Sequence, residues 1–174
     1  MGQLVGKDHR RDQPARIDGP PGPRTQRRLE GFRDIAREAG LIDPRRIITT
    51  PRASTVTLGC ELTADLLARA PDTDAILCNN DDLAMGALFE CQRRGIDVPR
   101  QIGICGFNDL EMMAVANPAV TSVKTYRLDM GQRAMEMMIA ALSGEDPRET
   151  WVDLGFEVVA RDSTRGPAPV SRIV

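Results

Sequence analysis

Two short polar runs follow directly on apolar ones. Asn79-Asn80-Asp81-Asp82 follows Ala75-Ile76-Leu77-Cys78, and Gly106-Phe107-Asn108-Asp109 follows Ile102-Gly103-Ile104-Cys105. A third group, Arg24-Thr25-Gln26-Arg27-Arg28, opens an amphipathic stretch. Amides both donate and accept, carboxylates accept, and a guanidinium fork grips two oxygens at once. Gathered around one cleft, such groups suit a polyhydroxylated or anionic small molecule. Each also has a plainer reading. Asp81 and Asp109 fit helix N-caps, which hold the first free backbone N–H groups. Asn80 and Asn108 stand one residue before those caps and fit either role. Arg28, taken alone, fits a solvated helix face beside Phe32.

What the sequence lacks narrows the chemistry further. The four cysteines, Cys60, Cys78, Cys91 and Cys105, form no C-x-x-C pair, and His9 is the only histidine. Structural zinc sites need Cys and His at short spacings, so no metal is expected and the thiols read as small buried apolar groups. With His9 as the only candidate imidazole base, Ser-His and Cys-His catalysis are disfavoured. Neither a P-loop nor a strand-borne G-x-G-x-x-G is present. No catalytic residue and no cofactor is assigned, and the chain does not read as an enzyme.

Elements that could carry these groups alternate regularly from Arg24 onward. A helix over Arg24–Ala39 is closed by Gly40 and aligns Leu29, Phe32, Ile35 and Ala36. A strand at Ile47–Thr50 and a helix at Val56–Arg69 follow. The apolar run Ala75–Cys78 reads as a strand buried on both faces. Next come a helix over Asp82–Arg94 ended by Gly95, a strand at Ile102–Cys105, a short helix near Asp109–Val115 and a strand at Thr121–Lys124. The helix Arg127–Leu142 should bury Leu128, Ala134, Met135, Met138 and Leu142. A strand at Phe156–Ala160 is last. This rhythm gives an α/β fold, a doubly wound, mostly parallel sheet with helices on both faces, whose ligands bind beyond the carboxyl ends of the strands.

The chain has 174 residues, a formal net charge of −2 and 41% apolar residues, which is ordinary for a globular protein with one sizeable core. No run approaches the roughly 18 consecutive apolar residues of a membrane-spanning helix. Residues 1–23 are Gly/Pro-rich and show no clear period, so they read as an irregular leader, with Ile17 the only apolar residue between Arg16 and Asp18. Residues 24–164 form the folded part and 165–174 a loose tail. Because charge begins by Lys7, no signal-peptide core forms, and the expected compartment is the cytoplasm.

Asp74–Leu88 (DAILCNNDDLAMGAL), Gly95-Ile-Asp-Val-Pro99 and Ile102–Asp109 (IGICGFND) together resemble the effector-binding domain of the lactose-repressor/galactose-repressor (LacI/GalR) family. Pro118–Thr125, Met130-Gly131, Arg161–Thr164 and Arg28-Leu-Glu-Gly-Phe32 fit the same pattern in order. The resemblance covers residues 24–164 and, after Gly106, is nearest to members sensing sugar acids such as gluconate. It implies one lobe of a periplasmic-binding-protein-like domain, with a sugar or sugar-acid effector, a homodimer, and operator DNA read only through an N-terminal helix-turn-helix absent here. By motif, Arg28 would hold effector oxygens, Asn80 and Asn108 would hydrogen-bond it, and Asp81 would fix the Asn80 turn. Arg24 and Ser54 would line the cleft. Where the family often has a carboxylate stands Asn108, and near Ser54 it has an aromatic. Losing the carboxylate favours an anionic effector.

A patch for self-association is also expected. The helix Asp82–Arg94 carries more apolar positions than one buried stripe needs. Met85, Leu88, Phe89 and, further on, Met112 therefore form the expected dimer surface, where the resemblance places the family's subunit contact. Cover by the N-terminal lobe that the resemblance implies, or by local loops, is the alternative. Rival functions are a solute-binding protein for sugar uptake and a small flavodoxin-like α/β enzyme.

Overall fold

The computed structural model describes residues 13–144 and 151–164. Six strands form one sheet in the order β2-β1-β3-β4-β5-β6: β1 Pro14–Asp18, β2 Ile47–Thr49, β3 Ala75–Cys78, β4 Gly103–Asn108, β5 Thr121–Lys124 and β6 Glu157–Val159. All neighbours pair in parallel except β6, which runs antiparallel to β5. The helices are α1 Pro23–Glu38, α2 Val56–Arg69, α3 Asp81–Arg93, α4 Met112–Val115 and α5 Arg127–Leu142. This is the expected α/β layer, with its mostly parallel sheet.

The chain leaves β1 toward β2 and then returns past β1 to β3. Right-handed crossovers running in opposite directions place their helices on opposite faces. Ala15, Ile17, Ile76, Cys78 and Ile104 point to the face covered by α2 and α3, joining Leu58, Leu66, Leu83 and Leu88 in one core. The alternate residues, Arg16 and Asn79 among them, meet Phe32 and Arg28 of α1 on the other face. The reversal leaves a crevice at the carboxyl ends of β1 and β3, where doubly wound sheets hold their ligands.

Three expectations are corrected. The leader is not irregular throughout, because its residues 14–18 form β1, a central strand paired with both β2 and β3. Ala15 and Ile17 are fully buried, while Arg16 and Asp18 neutralise each other on the opposite face at 2.7 Å. The ion pair disguises the strand's alternation as polar sequence. Residues 1–12 and 165–174 of the expected leader and tail lie outside the described residues.

The second correction concerns α3. Two of the four expected dimer residues, Met85 and Leu88, are buried within the chain. A second helix supplies the cover: α2 lies so close to α3 that a Cβ at Gly86 would stand 2.2 Å from the Val56 carbonyl oxygen. One side of α3 faces α2 and another faces the sheet, so most of its apolar surplus is used up internally. Phe89 remains exposed and Met112 half-buried, packed against the core.

The third concerns α5, which forms as expected but has no buried residue. Leu128, Met135, Met138 and Leu142 are all exposed. A helical apolar period says that a face seeks cover, not that the same chain supplies it.

Candidate functional site

The carboxyl edge of the sheet and the helix starts beside it carry the candidate residues. Asn80 is itself the N-cap of α3, its Oδ1 accepting from the Leu83 N–H at 3.1 Å. That bond leaves the amide nitrogen as the group able to face a ligand. Asp81 is therefore the first residue of the helix rather than its cap. It is fully buried, with Oδ1 accepting from Ser122 Oγ and Oδ2 from the Leu110 N–H, both at 2.7 Å. This carboxylate cannot ligate directly, and it fixes the loop after β4 rather than the Asn80 turn. Burial raises its pKa against the pull of these donors.

Asn108 ends β4 in a half-buried position with φ of 113°, and Asp109 follows with φ of 55°. Both lie in the region that favours glycine, so their surroundings must hold them there. Asp109 is not a helix cap either. Its carboxylate pairs with Arg161 at 2.7 Å and its N–H donates to Ser122 Oγ at 3.1 Å.

Arg28 is not a solvated helix residue. Its guanidinium lies 3.6 Å from the Phe107 ring centroid and donates to the Asn79 carbonyl oxygen at 2.8 Å. Asn79, which sequence reasoning passed over in favour of Asn80, also donates from Nδ2 to Thr25 Oγ1 at 3.3 Å. Phe107 escaped notice as well; an arginine stacked on an aromatic separated by several elements of the chain leaves no local signal. Burial, with the charges of Arg16 and Arg24, lowers the Arg28 pKa. Arg24 is exposed on the first turn of α1. Ser54 packs against the β1–α1 loop so closely that a Cβ at Gly19 would stand 2.2 Å from its Oγ.

A groove of about 340 Å³ continues the crevice toward β2, lined by Asp18, Thr25, Gln26, Arg33, Thr49 and Thr50 among others. Burial raises the Asp18 pKa, opposed by Arg16, Arg33 and Arg28. Cationic and neutral polar groups thus outnumber anions at this edge. Among the described residues no three His, Cys, Asp or Glu side chains gather as a metal site. The thiols are free, and burial pushes Cys91 and Cys105 up to about 11, so they stay protonated at neutral pH.

The family model for a periplasmic binding protein-like domain matches residues 2–164. The chain belongs to this family. As a periplasmic binding protein-like chain it is 47% identical over 141 residues to the HTH-type transcriptional regulator GntR of Pseudomonas aeruginosa, an alignment covering 81% of this chain and 41% of that regulator. The crystal structure of transcription regulator GntR from Chromobacterium violaceum superposes with a TM-score of 0.87 at 35% identity, over 90% of this chain and 58% of that one. A sugar-binding transcriptional regulator of the LacI family from Escherichia coli, complexed with phosphate, gives a TM-score of 0.81 at 28% identity, over 90% and 56% of the two chains. The resemblance to LacI-type regulators read from the motifs is borne out, as is its nearness to one subgroup. The chain spans about two fifths of the length of the curated relative.

Proposed function

We propose that this chain is the effector-binding part of a transcriptional regulator and that its effector is a small sugar acid. One observation carries the proposal: the Arg28 guanidinium, stacked on Phe107 and tied to Asn79, stands at the switch point of the sheet between the loops of Asn80 and Asn108. A ligand carboxylate meets a pre-oriented fork there, and hydroxyls meet the two amides. Burial first, then the positive charges of Arg16 and Arg24, depress the Arg28 pKa, so an anion that meets the fork and relieves the repulsion gains on binding. The relatives' roles as regulators support the same reading and favour no enzymatic one.

In this reading the whole regulator acts in the cytoplasm and touches operator DNA through a separate helix-turn-helix domain. Two copies associate over a surface that includes Phe89 and Met112. Among the described residues no helix is long and apolar enough to cross a membrane.

The test is a titration of the isotope-labelled chain with D-gluconate and with D-glucose, followed through backbone amide resonances. Gluconate is expected to move the amides around Asn80 and Asn108 with an affinity on the order of millimolar, because one wall of a cleft leaves much of the ligand in water. Glucose should bind at least tenfold more weakly. Equal response to both, or none to gluconate, overturns the sugar-acid assignment.

A further inference from the structure

We propose that Asp81 is a positioning residue that locks the Asn80 and Asn108 arms of the site into one unit while never touching the ligand. The inference rests on the functional reading above and extends it to how the second arm acquires its shape.

The geometry is that of a carboxylate used to its limit. Asp81 follows Asn80 directly and is shielded from solvent by its own chain. Its Oδ2 holds the Leu110 N–H and its Oδ1 holds the Ser122 hydroxyl. Ser122 Oγ already accepts the Asp109 N–H, so its single hydrogen is committed to Asp81. Every partner is a donor, and only an acceptor-only side chain satisfies them all. An asparagine would turn an NH2 group toward one of these donors and break one connection.

The approach itself is built in. A Cβ at Gly106 would stand 2.3 Å from Asp81 Oδ1, so β4 needs glycine there to admit the carboxylate. Leu110, gripped directly, adjoins the two consecutive positive-φ residues Asn108 and Asp109, and Asp109 is itself held through Ser122. Backbone of this kind persists only where its surroundings over-determine it. Released from Asp81, the loop can relax, and the Asn108 amide loses its place. Arg28 keeps its tie to Asn79 from α1.

The full 174-residue chain carries the test. In Asp81→Asn, amide exchange at Asp109 and Leu110 should rise at least tenfold, while core amides such as that of Ile76 stay within twofold. Gluconate affinity should fall about tenfold in the otherwise native chain and in the Arg28→Ala background. With Asn108→Ala already present, Asp81→Asn should add less than twofold. A general loss of stability would instead raise exchange everywhere and weaken binding equally in all backgrounds, which overturns the proposal. If Asp81→Asn fails to fold, Ser122→Ala removes one arm of the lock; gluconate affinity that falls in the native chain but not with Asn108→Ala present supports it, and unchanged affinity refutes it. A native chain that ignores gluconate condemns the sugar-acid reading, and the exchange pattern then decides the lock independently.

Discussion

Arg28 reaches its place before any ligand arrives. Stacking on Phe107 and the bond to the Asn79 carbonyl freeze a side chain that otherwise costs rotamer entropy to order on binding. Arg28→Ala should weaken gluconate binding by roughly 1.5–3 kcal/mol, about ten- to a hundredfold, with the fold intact by circular dichroism. Unchanged affinity in the same titration would return Arg28 to the role of a helix-surface residue. A second prediction concerns Asp43, which caps the one-turn helix Pro44–Arg46 and whose carboxyl the Arg45 side chain and N–H hold down at about 2. A depressed carboxylate pKa stabilises the fold above the ordinary value near 3.8 and ceases to do so as pH falls toward 2. Asp43→Asn should therefore flatten the loss of urea resistance between those limits and leave the profile above pH 5 with its native slope.

At the scale of elements, the contact between α2 and α3 decides which substitutions report on association. Met85 looks like a surface methionine in the sequence, yet it is 6% exposed between sheet and helix. Met85→Glu should cost about 3 kcal/mol or more in urea unfolding, because the charge is buried without a partner. Phe89, at 46% exposure on the same helix, is the residue for the association test. If copies pair over this surface, Phe89→Glu should abolish the dimer in sedimentation without lowering the unfolding midpoint. Elements were legible in the sequence wherever one physical demand ruled them. The Ala75–Cys78 run and the cap residues behind it announce β3 and α3, and the first turn was displaced by one residue only because Asn80 and Asp81 are both good caps. β1 was illegible because Arg16 and Asp18 satisfy each other, which a reading of hydropathy cannot credit. At the candidate site, Asn80 and Asn108 were read from side-chain chemistry and from where strands end, and Arg28 only from the family motif. Asn79, Phe107 and Ser122 were not, since their roles exist only once distant segments meet.

For the molecule as a whole, α5 is the exposed flank. With Leu128, Met135, Met138, Ile139 and Leu142 all more than half exposed, the chain in isolation presents an apolar stripe as long as a helix. It should bind an apolar dye and self-associate at high micromolar concentration. The pair Met135→Glu, Met138→Glu should reduce both effects and shift the unfolding midpoint little, since these side chains add little to the chain's own core. Unaltered dye binding would place the apolar surface elsewhere. The position of β1 has a consequence for how much of the chain can be dispensed with. Composition marks Arg24 as the natural beginning of the fold, yet a chain begun there would lack the strand between β2 and β3. Both neighbours would then present rows of unpaired N–H and C=O groups, the two raw borders at which β-proteins stick to one another. Trimming this protein back to its first obvious helix would thus open the sheet down its middle, turning a continuous layer into a template for aggregation.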